Sequence, residues 1–462
     1  MSDIRPAVVV GGGAGGVLAT VQLLAAGWPV VLIDPRTTPG RGVAQGFASP
    51  WHLLGSPVDE MSALPDKPDD FLRWCRMRCP RTQPFDFVPR GWYGEYLSET
   101  LRAADSGRLT VHRASVSRIF DAPGGGFTVL LSGGVVIPAA HVVLALGEAA
   151  PADPLPLPAP VRQAPSYIGD PGEFAAPVVA AGDGPVLLIG TGPTAVDVTL
   201  ALAHTHPGIS ILAVSRHGLT PQPHRRRDTA AGRRVEPVLA GSLARLLRTL
   251  RSQAAETGDW HAVMDAHRPH WNRLWDGLSE PEQRRFLRHA ARFWEVHRHR
   301  VAPAVADRIA ALRAGGTLRV AAGEVCGLAA DPHGLVATIR YRGGDVATQR
   351  FAAVVNCTGP GRVVESSPLV RSLIAEGIAR PGPYRLGLDT DAHGALVRRD
   401  GSVNPALWTL GPPRRGVLWE TSAVPEIRAQ AQALARRLTA ACVRASIASG
   451  ARENQPLGGA RP

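Results

Sequence analysis

LLIGTGPTAVDVTLALA, residues 187–203, reads as a buried strand, a glycine turn and a helix. AVVVGGGAGGVLATVQLLAAG, residues 7–27, has the same form. Each unit sets a glycine-rich turn between the end of a parallel strand and the start of a helix. Backbone N–H groups and the positive end of the helix dipole converge there, which suits a pyrophosphate.

The first unit is the more complete. Ala7–Val10 is an unbroken apolar run, as a strand covered on both faces requires. Gly11, Gly13 and Gly16 form the GxGxxG turn, Val17, Val21 and Leu24 keep helical spacing, and Gly27 ends the helix. VVLID is the second strand, closing on Asp34, roughly 20 residues on, where a carboxylate can accept from ribose hydroxyls. In the second unit Val186–Ile189 is the strand, Gly190, Gly192 and Ala195 mark the turn, and the helix runs over Ala195–Ala203. The next strand is ISILAVSR, and Ser215 and Arg216 stand where the acid is expected. A carboxylate repels a 2′-phosphate and a guanidinium pairs with it, so the second site is predicted to take NADPH.

The chain has 462 residues, 45% of them apolar, enough for two or three domains with real cores. Its net charge is +12, but Lys67 is the only lysine and most arginines are scattered, which argues against a nucleic-acid partner. Cys75, Cys79, Cys326, Cys357 and Cys442 form no CxxC pair and suit a reducing cytoplasm. Cys75 and Cys79, four apart in an expected helix, are read as packed on one face. The first apolar run lacks a basic leader and a cleavage site, so it is not read as a signal peptide, and no stretch suggests a membrane span.

Two dinucleotide sites imply a relay in which NADPH reduces a flavin and FAD passes the electrons on. In this the chain resembles the two-dinucleotide flavoproteins, which include glutathione-reductase-like enzymes and flavin monooxygenases. LTVHRASVSRIF and GFTVLLSGGVVIPAAHVVLALG read as strand, hairpin and strand, and in that superfamily such a segment closes the FAD-binding domain. Ala145-Leu146-Gly147 and Cys357-Thr358-Gly359 are similar to its two crossing turns. The implied fold is α/β, with two Rossmann-like domains in three layers, parallel sheets and a β-meander. The implied division is 1–150 for the first part of the FAD domain, 165–358 for an inserted NADP domain with a helical insert at 218–301, 359–450 for the rest of the FAD domain, and 451–462 for a flexible tail. HLLGSPVDEMSALPDKPDDFLRWC, FVPRGWYGEYL, VSRHGLTPQPH, FLRHAARFWEVHRHRVAP and WETSAVPEIRAQA narrow the resemblance to a bacterial FAD/NAD(P)-binding family near the N-hydroxylating monooxygenases. It implies oxidation of a small amine or amino-acid-like substrate with molecular oxygen.

The same resemblance places Val116, Gly147, Gly411, Trp419 and Thr421 among the cofactor-binding residues. It also shows two departures: Pro412 follows Gly411 where an Asp is usual, and Gln45 stands where an aromatic is expected. A C-terminal helix starts near Thr421 or Ser422, with Pro425 in its first turn and Ile427, Ala431, Leu434 and Leu438 as its apolar stripe. In the superfamily its N-terminus faces the pyrimidine end of the flavin. Glu426 reads as an ordinary first-turn acid, whereas Glu420 and Trp419 are expected beside the ring. His52 and Glu420 are the candidate catalytic residues.

Residues 218–301 are rich in Arg, His and Trp. Trp271, Leu274, Trp275 and Leu278, then Phe286, Ala290, Phe293 and Trp294, repeat at helical spacing and predict a packed helical cover. Its histidines have no HExxH pattern and no acid at ligand spacing, so no metal is expected. Its arginines, with Arg225, Arg226 and Arg227, are candidates for NADPH phosphates or an acidic substrate. No CxxC or CxxxxC accompanies the first turn and no GxSxG occurs, which leaves flavin chemistry. The leading expectation is an NADPH-dependent FAD monooxygenase. The alternatives are a reductase without oxygen transfer and a dinucleotide-sensing protein without turnover.

Overall fold

In the computed structural model, the described residues are 5–36, 38–43, 49–173, 184–226, 235–238 and 241–453, the last thirteen for their backbone only. Gln45, Arg227, the side chain of Cys442 and most of the 451–462 tail lie outside them.

The chain begins with β1 (Ala7–Val10), α1 (Ala14–Ala25) and β2 (Val30–Ile33), a right-sized βαβ start for a parallel sheet. Two helices follow, α2 (Asp70–Arg78) and α3 (Arg90–Ala104), then β3 (Leu109–His112). A three-stranded antiparallel meander comes next: β4 (Val116–Asp121), β5 (Phe127–Leu131) and β6 (Val136–Ala139). The strand β7 (His141–Leu144) returns to the first sheet beside β1.

A second sheet starts with β8 (Tyr167–Ile168) and β9 (Val186–Ile189), then α4 (Pro193–Thr205) and β10 (Ile211–Ser215). The helical insert holds α5 (Leu243–Thr257), α6 (Trp260–His267), α7 (Trp271–Asp276), α8 (Glu280–His289) and α9 (Ala291–Arg298). Then come α10 (Pro303–Ala314), β11 (Leu318–Asp331), β12 (Gly334–Tyr341), β13 (Val346–Phe351) and β14 (Ala353–Asn356). The chain ends with α11 (Pro368–Ala375), β15 (Ala395–Val397), β16 (Val403–Thr409) and the long α12 (Val424–Glu453).

The first sheet has the order β15-β16-β7-β1-β2-β3 and the second β13-β12-β11-β10-β9-β14-β8. Thus β15 and β16 rejoin the sheet that β1 began, with the second sheet built in between. Both faces of β1 are covered: Ala7 and Val9 pack with α1, α3 and α12, and Val8 and Val10 with the meander and α11. Its continuous apolar run follows from that burial. The stripe Ile427, Ala431, Leu434 and Leu438 of α12 is buried in the first of these layers.

The insert builds its own aromatic core from Trp271, Trp275, Phe286 and Trp294. Two sequence expectations change here. Phe293 is 50% exposed, because the helical run breaks at Ala290 and α9 starts in a new phase. Cys79 lies beyond the end of α2 on extended backbone and is exposed, so only Cys75 packs inward. No helix among the described residues is long and apolar enough to cross a membrane, and no metal-binding cluster of His, Cys, Asp or Glu occurs among them.

Candidate functional site

The two glycine turns have matching geometry. Gly11 has φ +105°, and a Cβ there would stand 2.3 Å from the Ala145 carbonyl oxygen. Gly190 has φ +122°, and its Cβ would stand 2.0 Å from the Cys357 carbonyl oxygen. Each turn therefore presses against the crossing turn of its own sheet, where Gly147 and Gly359 also take positive φ. Gly16 is closed as well, its Cβ falling 1.7 Å from the Gly11 carbonyl oxygen. Gly192 differs: it has φ −80°, and among the described residues a Cβ there would meet nothing beyond its chain neighbours within 4 Å. Packing explains Gly11, Gly16 and Gly190. The open space above Gly192, at the N-terminus of α4, fits a pyrophosphate instead. Ala195 is buried in the next turn, against the second-sheet core.

The two strand ends after these turns differ in chemistry. Asp34 is buried and accepts from Gly12 N–H at 2.5 Å, Arg36 N–H at 2.8 Å and Arg36 Nε at 3.0 Å. With a fourth contact from Arg36 Nη2 its acceptor sites are filled, so a ribose hydroxyl reaches it by displacing the Arg36 side chain. Burial pushes the Asp34 carboxyl up, but the bonds from Arg36 and Gly12 outweigh it and hold the carboxyl below its usual value. Ser215 bonds Thr191 Oγ1 at 2.8 Å and accepts from Gly218 N–H, which leaves the neighbouring Arg216 at the strand end. Arg216 is exposed and has no ion-pair partner among the described residues.

The turn at Gly411 is locked by α12. Gly411 N–H donates to Gln430 Oε1 at 2.9 Å, Thr421 Oγ1 donates to the Gly411 carbonyl at 2.8 Å, and Gln430 Nε2 donates to Thr421 Oγ1 at 3.0 Å. Pro412 opens a 3-10 turn that carries Arg414 inward. Arg414 is buried and donates to the carbonyls of Asp391 and Ala392; burial pulls it down to about 10. Val116 opens β4, directly after the β3 end that pairs with β2.

The candidate catalytic residues are held by other protein groups. His52 Nδ1 accepts from Ser49 N–H at 3.2 Å and Nε2 donates to the Asp197 carbonyl at 3.0 Å, so neither ring nitrogen is left to meet a substrate. Arg90 pairs with the Asp197 carboxylate at 2.7 Å, and Trp51 packs on His204. His52 thus helps clasp residues 51–90 onto α4. Trp419 stacks on Trp275 with centroids 5.0 Å apart and meets Phe286 and Trp294 edge-on, so it is part of the insert core.

Glu420 is buried and takes a two-pronged bond from Arg298, at 2.8 and 3.0 Å. Burial outweighs that guanidinium and pushes the Glu420 carboxyl above its usual value. Arg298 also reaches Glu426 at 3.7 Å, and Arg268 joins Glu426 to Glu60. This chain of alternating charges ties the insert to α12 and to the loop before α2. Glu426 is therefore more than a dipole-balancing acid, and Glu420 reads as an anchor. Replacing Glu420 with alanine leaves Arg298 buried with only its distant partner. It is expected to destabilise the protein by about 3–5 kcal/mol, measured by chemical unfolding.

Several functional candidates emerge only in three dimensions. A cavity of about 570 Å³ lies between residues 56–87 and the insert. Pro57, Phe85 and Phe87 form much of one wall, and Arg268, Arg298 and Arg300 much of the other. His224 sits on the first wall, donating to the Gly55 carbonyl at 2.8 Å; burial and the Arg300 charge pull it down to about 4, so it is neutral near pH 7. Arg225 pairs with Asp259 and Arg226 with Asp307. VSRHGLTPQPH and HRHRVAP hold several of these residues, but nothing in their spacing shows that they meet.

A family model described as FAD-NAD(P)-binding matches residues 8–149. No curated protein matches the chain. Among solved structures, the ornithine hydroxylase of Pseudomonas aeruginosa is similar at 14% identity with a TM-score of 0.63, over 95% of this chain and 99% of that one. The cadaverine monooxygenase of desferrioxamine biosynthesis from Erwinia amylovora is similar at 13% identity and TM-score 0.64, over 95% of each chain. The bacillithiol disulfide reductase of Staphylococcus aureus is similar at 12% identity and TM-score 0.58, over 95% of this chain and 98% of that one. At such identities the likeness is one of fold. Residues 8–149 thus fit the FAD-NAD(P)-binding model, and the chain as a whole shares the fold of these solved structures.

Proposed function

We propose that the protein is an NADPH-dependent FAD oxidoreductase that adds oxygen to a small amine. One observation carries the reading: two glycine turns of the same geometry end in opposite charges, Asp34 in the first and Arg216 in the second. The first turn suits FAD, with Gly11, Gly13 and Gly16 about the pyrophosphate. The second suits NADPH, with Gly192 leaving room for the pyrophosphate and Arg216 meeting the 2′-phosphate. FAD held at the first turn would supply the means to take a hydride from NADPH and to activate oxygen.

The chain's own residues supply binding and orientation. Thr421 and Gln430 hold the Gly411 turn rigid, and the N-terminus of α12 presents a partial positive charge that favours an anionic ligand. The insert, pinned through Arg298 and Arg268, forms part of the cavity lining. The likeness to two amine-oxygenating enzymes supports the amine as substrate class. The likeness to a disulfide reductase favours the second reading, a reductase without oxygen transfer. The four described cysteines are free, and Cys75 and Cys357 are buried, which weighs against it.

The test is to follow NADPH and oxygen together while screening small amines. Oxygen uptake matched to NADPH loss, with a product one oxygen atom heavier than the amine, is the expected outcome. Substrate consumed equally well without oxygen supports the reductase reading, and no NADPH oxidation under any condition supports a dinucleotide sensor.

A further inference from the structure

The second glycine turn and the end of β10 are tied into one surface. Thr191, between Gly190 and Gly192, bonds Ser215 Oγ at 2.8 Å and donates to the Leu219 carbonyl. Gly218 N–H donates to the Ser215 carbonyl at 3.2 Å, so Arg216 and His217 are the two central residues of a β-turn. Both are exposed. The chain then runs along α9: Gln222 N–H donates to the Val296 carbonyl at 2.9 Å, and Val301 N–H donates to the Gln222 carbonyl at 3.0 Å. Those bonds hold the insert against the turn.

The insert adds a ring to this surface. Phe293, in the first turn of α9, has its ring centroid 5.7 Å from that of His217, with the planes 40° apart. It is 50% exposed. Lone exposed apolar residues are common on protein surfaces, so exposure alone says little. Position says more. Arg216, beside His217, is the group read above as meeting the 2′-phosphate. In an adenosine 2′-phosphate the base is carried on C1′, the carbon next to the one that bears the phosphate. A phosphate on Arg216 therefore sets the base down at the same turn, within the width of one ribose. His217 and Phe293 offer flat faces there, and nucleobases stack on such faces.

We propose that Phe293 and His217 form the adenine platform of the second nucleotide site, so that the insert completes a site that the second sheet begins. The proposal rests on the NADPH reading above and adds to it the residues that hold the base.

Calorimetric titration of the FAD-loaded protein with 2′,5′-ADP tests it. Phe293→Ala is expected to weaken binding at least about five-fold, the lower end of base–aromatic stacking. Phe293→Tyr keeps the flat ring and should bind like the parent. Phe293→Leu is apolar but not flat and should lose most of what Phe293→Ala loses; it decides the matter if Phe293→Ala does not fold. In flavin reduction, Phe293→Ala should lower the apparent affinities for NADPH and NADH by the same factor, since both carry adenine, whereas Arg216→Ala lowers the first alone. Binding of 2′,5′-ADP that Phe293→Ala and Phe293→Leu leave intact overturns the proposal. So does a loss confined to NADPH, which makes Phe293 a support of Arg216 and not of the base. A parent protein that binds neither 2′,5′-ADP nor NADPH removes the nucleotide reading itself, and the platform with it.

Discussion

The Gly192→Val variant is expected to fold, to keep its FAD, and to lose reduction by NADPH by at least about a hundred-fold. The turn around it shows why one glycine separates these properties. Gly190 cannot accept a side chain, because its φ is +122° and the Cys357 carbonyl fills the space. A change there damages the second sheet itself. Gly192 has an extended backbone that any residue adopts, and among the described residues no atom beyond its chain neighbours lies within 4 Å of a Cβ built on it. Valine costs little in folding at such a site. Its branched side chain instead occupies the ground above the first turn of α4, where the nucleotide pyrophosphate must approach backbone N–H groups closely. Losing several charge-assisted hydrogen bonds of about 1.5–3 kcal/mol each gives the hundred-fold or larger effect. Thermal unfolding, flavin content and rapid-mixing reduction rates check the three parts. A variant that reduces its flavin normally with NADPH removes the second turn from the cofactor site.

Replacing Arg216 with alanine should weaken NADPH about ten-fold to a hundred-fold and leave NADH almost unchanged, as expected for one guanidinium–phosphate pair. Arg216 is exposed at the end of β10 and has no ion-pair partner among the described residues, so its removal breaks no described ion pair. Ser215 beside it is held by Thr191 and the Gly218 N–H, which fixes the backbone from which Arg216 projects. Apparent affinities for the two nucleotides, taken from flavin reduction, give the answer. Unchanged preference makes Arg216 an ordinary surface residue and reopens the choice between the nucleotides.

What was legible in the sequence is what short-range sterics impose. The paired glycine turns could be read because a strand that must pass under a crossing carbonyl tolerates only glycine, as at Gly11 and Gly190. The buried stripe of α12 could be read because Ile427, Ala431, Leu434 and Leu438 repeat at helical period. Phe293 misled because the same period continues in sequence across Ala290, where the helix itself breaks. The sequence places Glu420 and Trp419 just before α12 but does not show what they touch. Their partners, Arg298 and Trp275, come from the insert more than a hundred residues away and leave no local trace. His52 likewise spends both ring nitrogens on backbone groups, one of them at Asp197 on α4. The cavity draws its walls from three separated segments, so only the folded chain brings Phe87, His224 and Arg300 together.

Anaerobic titration of the purified protein with NADPH, watched through the flavin absorbance, tests the central claim that one turn holds FAD and the other NADPH. The purified protein is expected to be yellow, to release FAD on denaturation and to bleach with about one equivalent of NADPH per flavin, because a hydride carries both electrons FAD can accept. A protein that cannot be loaded with FAD, or whose bound flavin stays oxidised in excess NADPH, would contradict it.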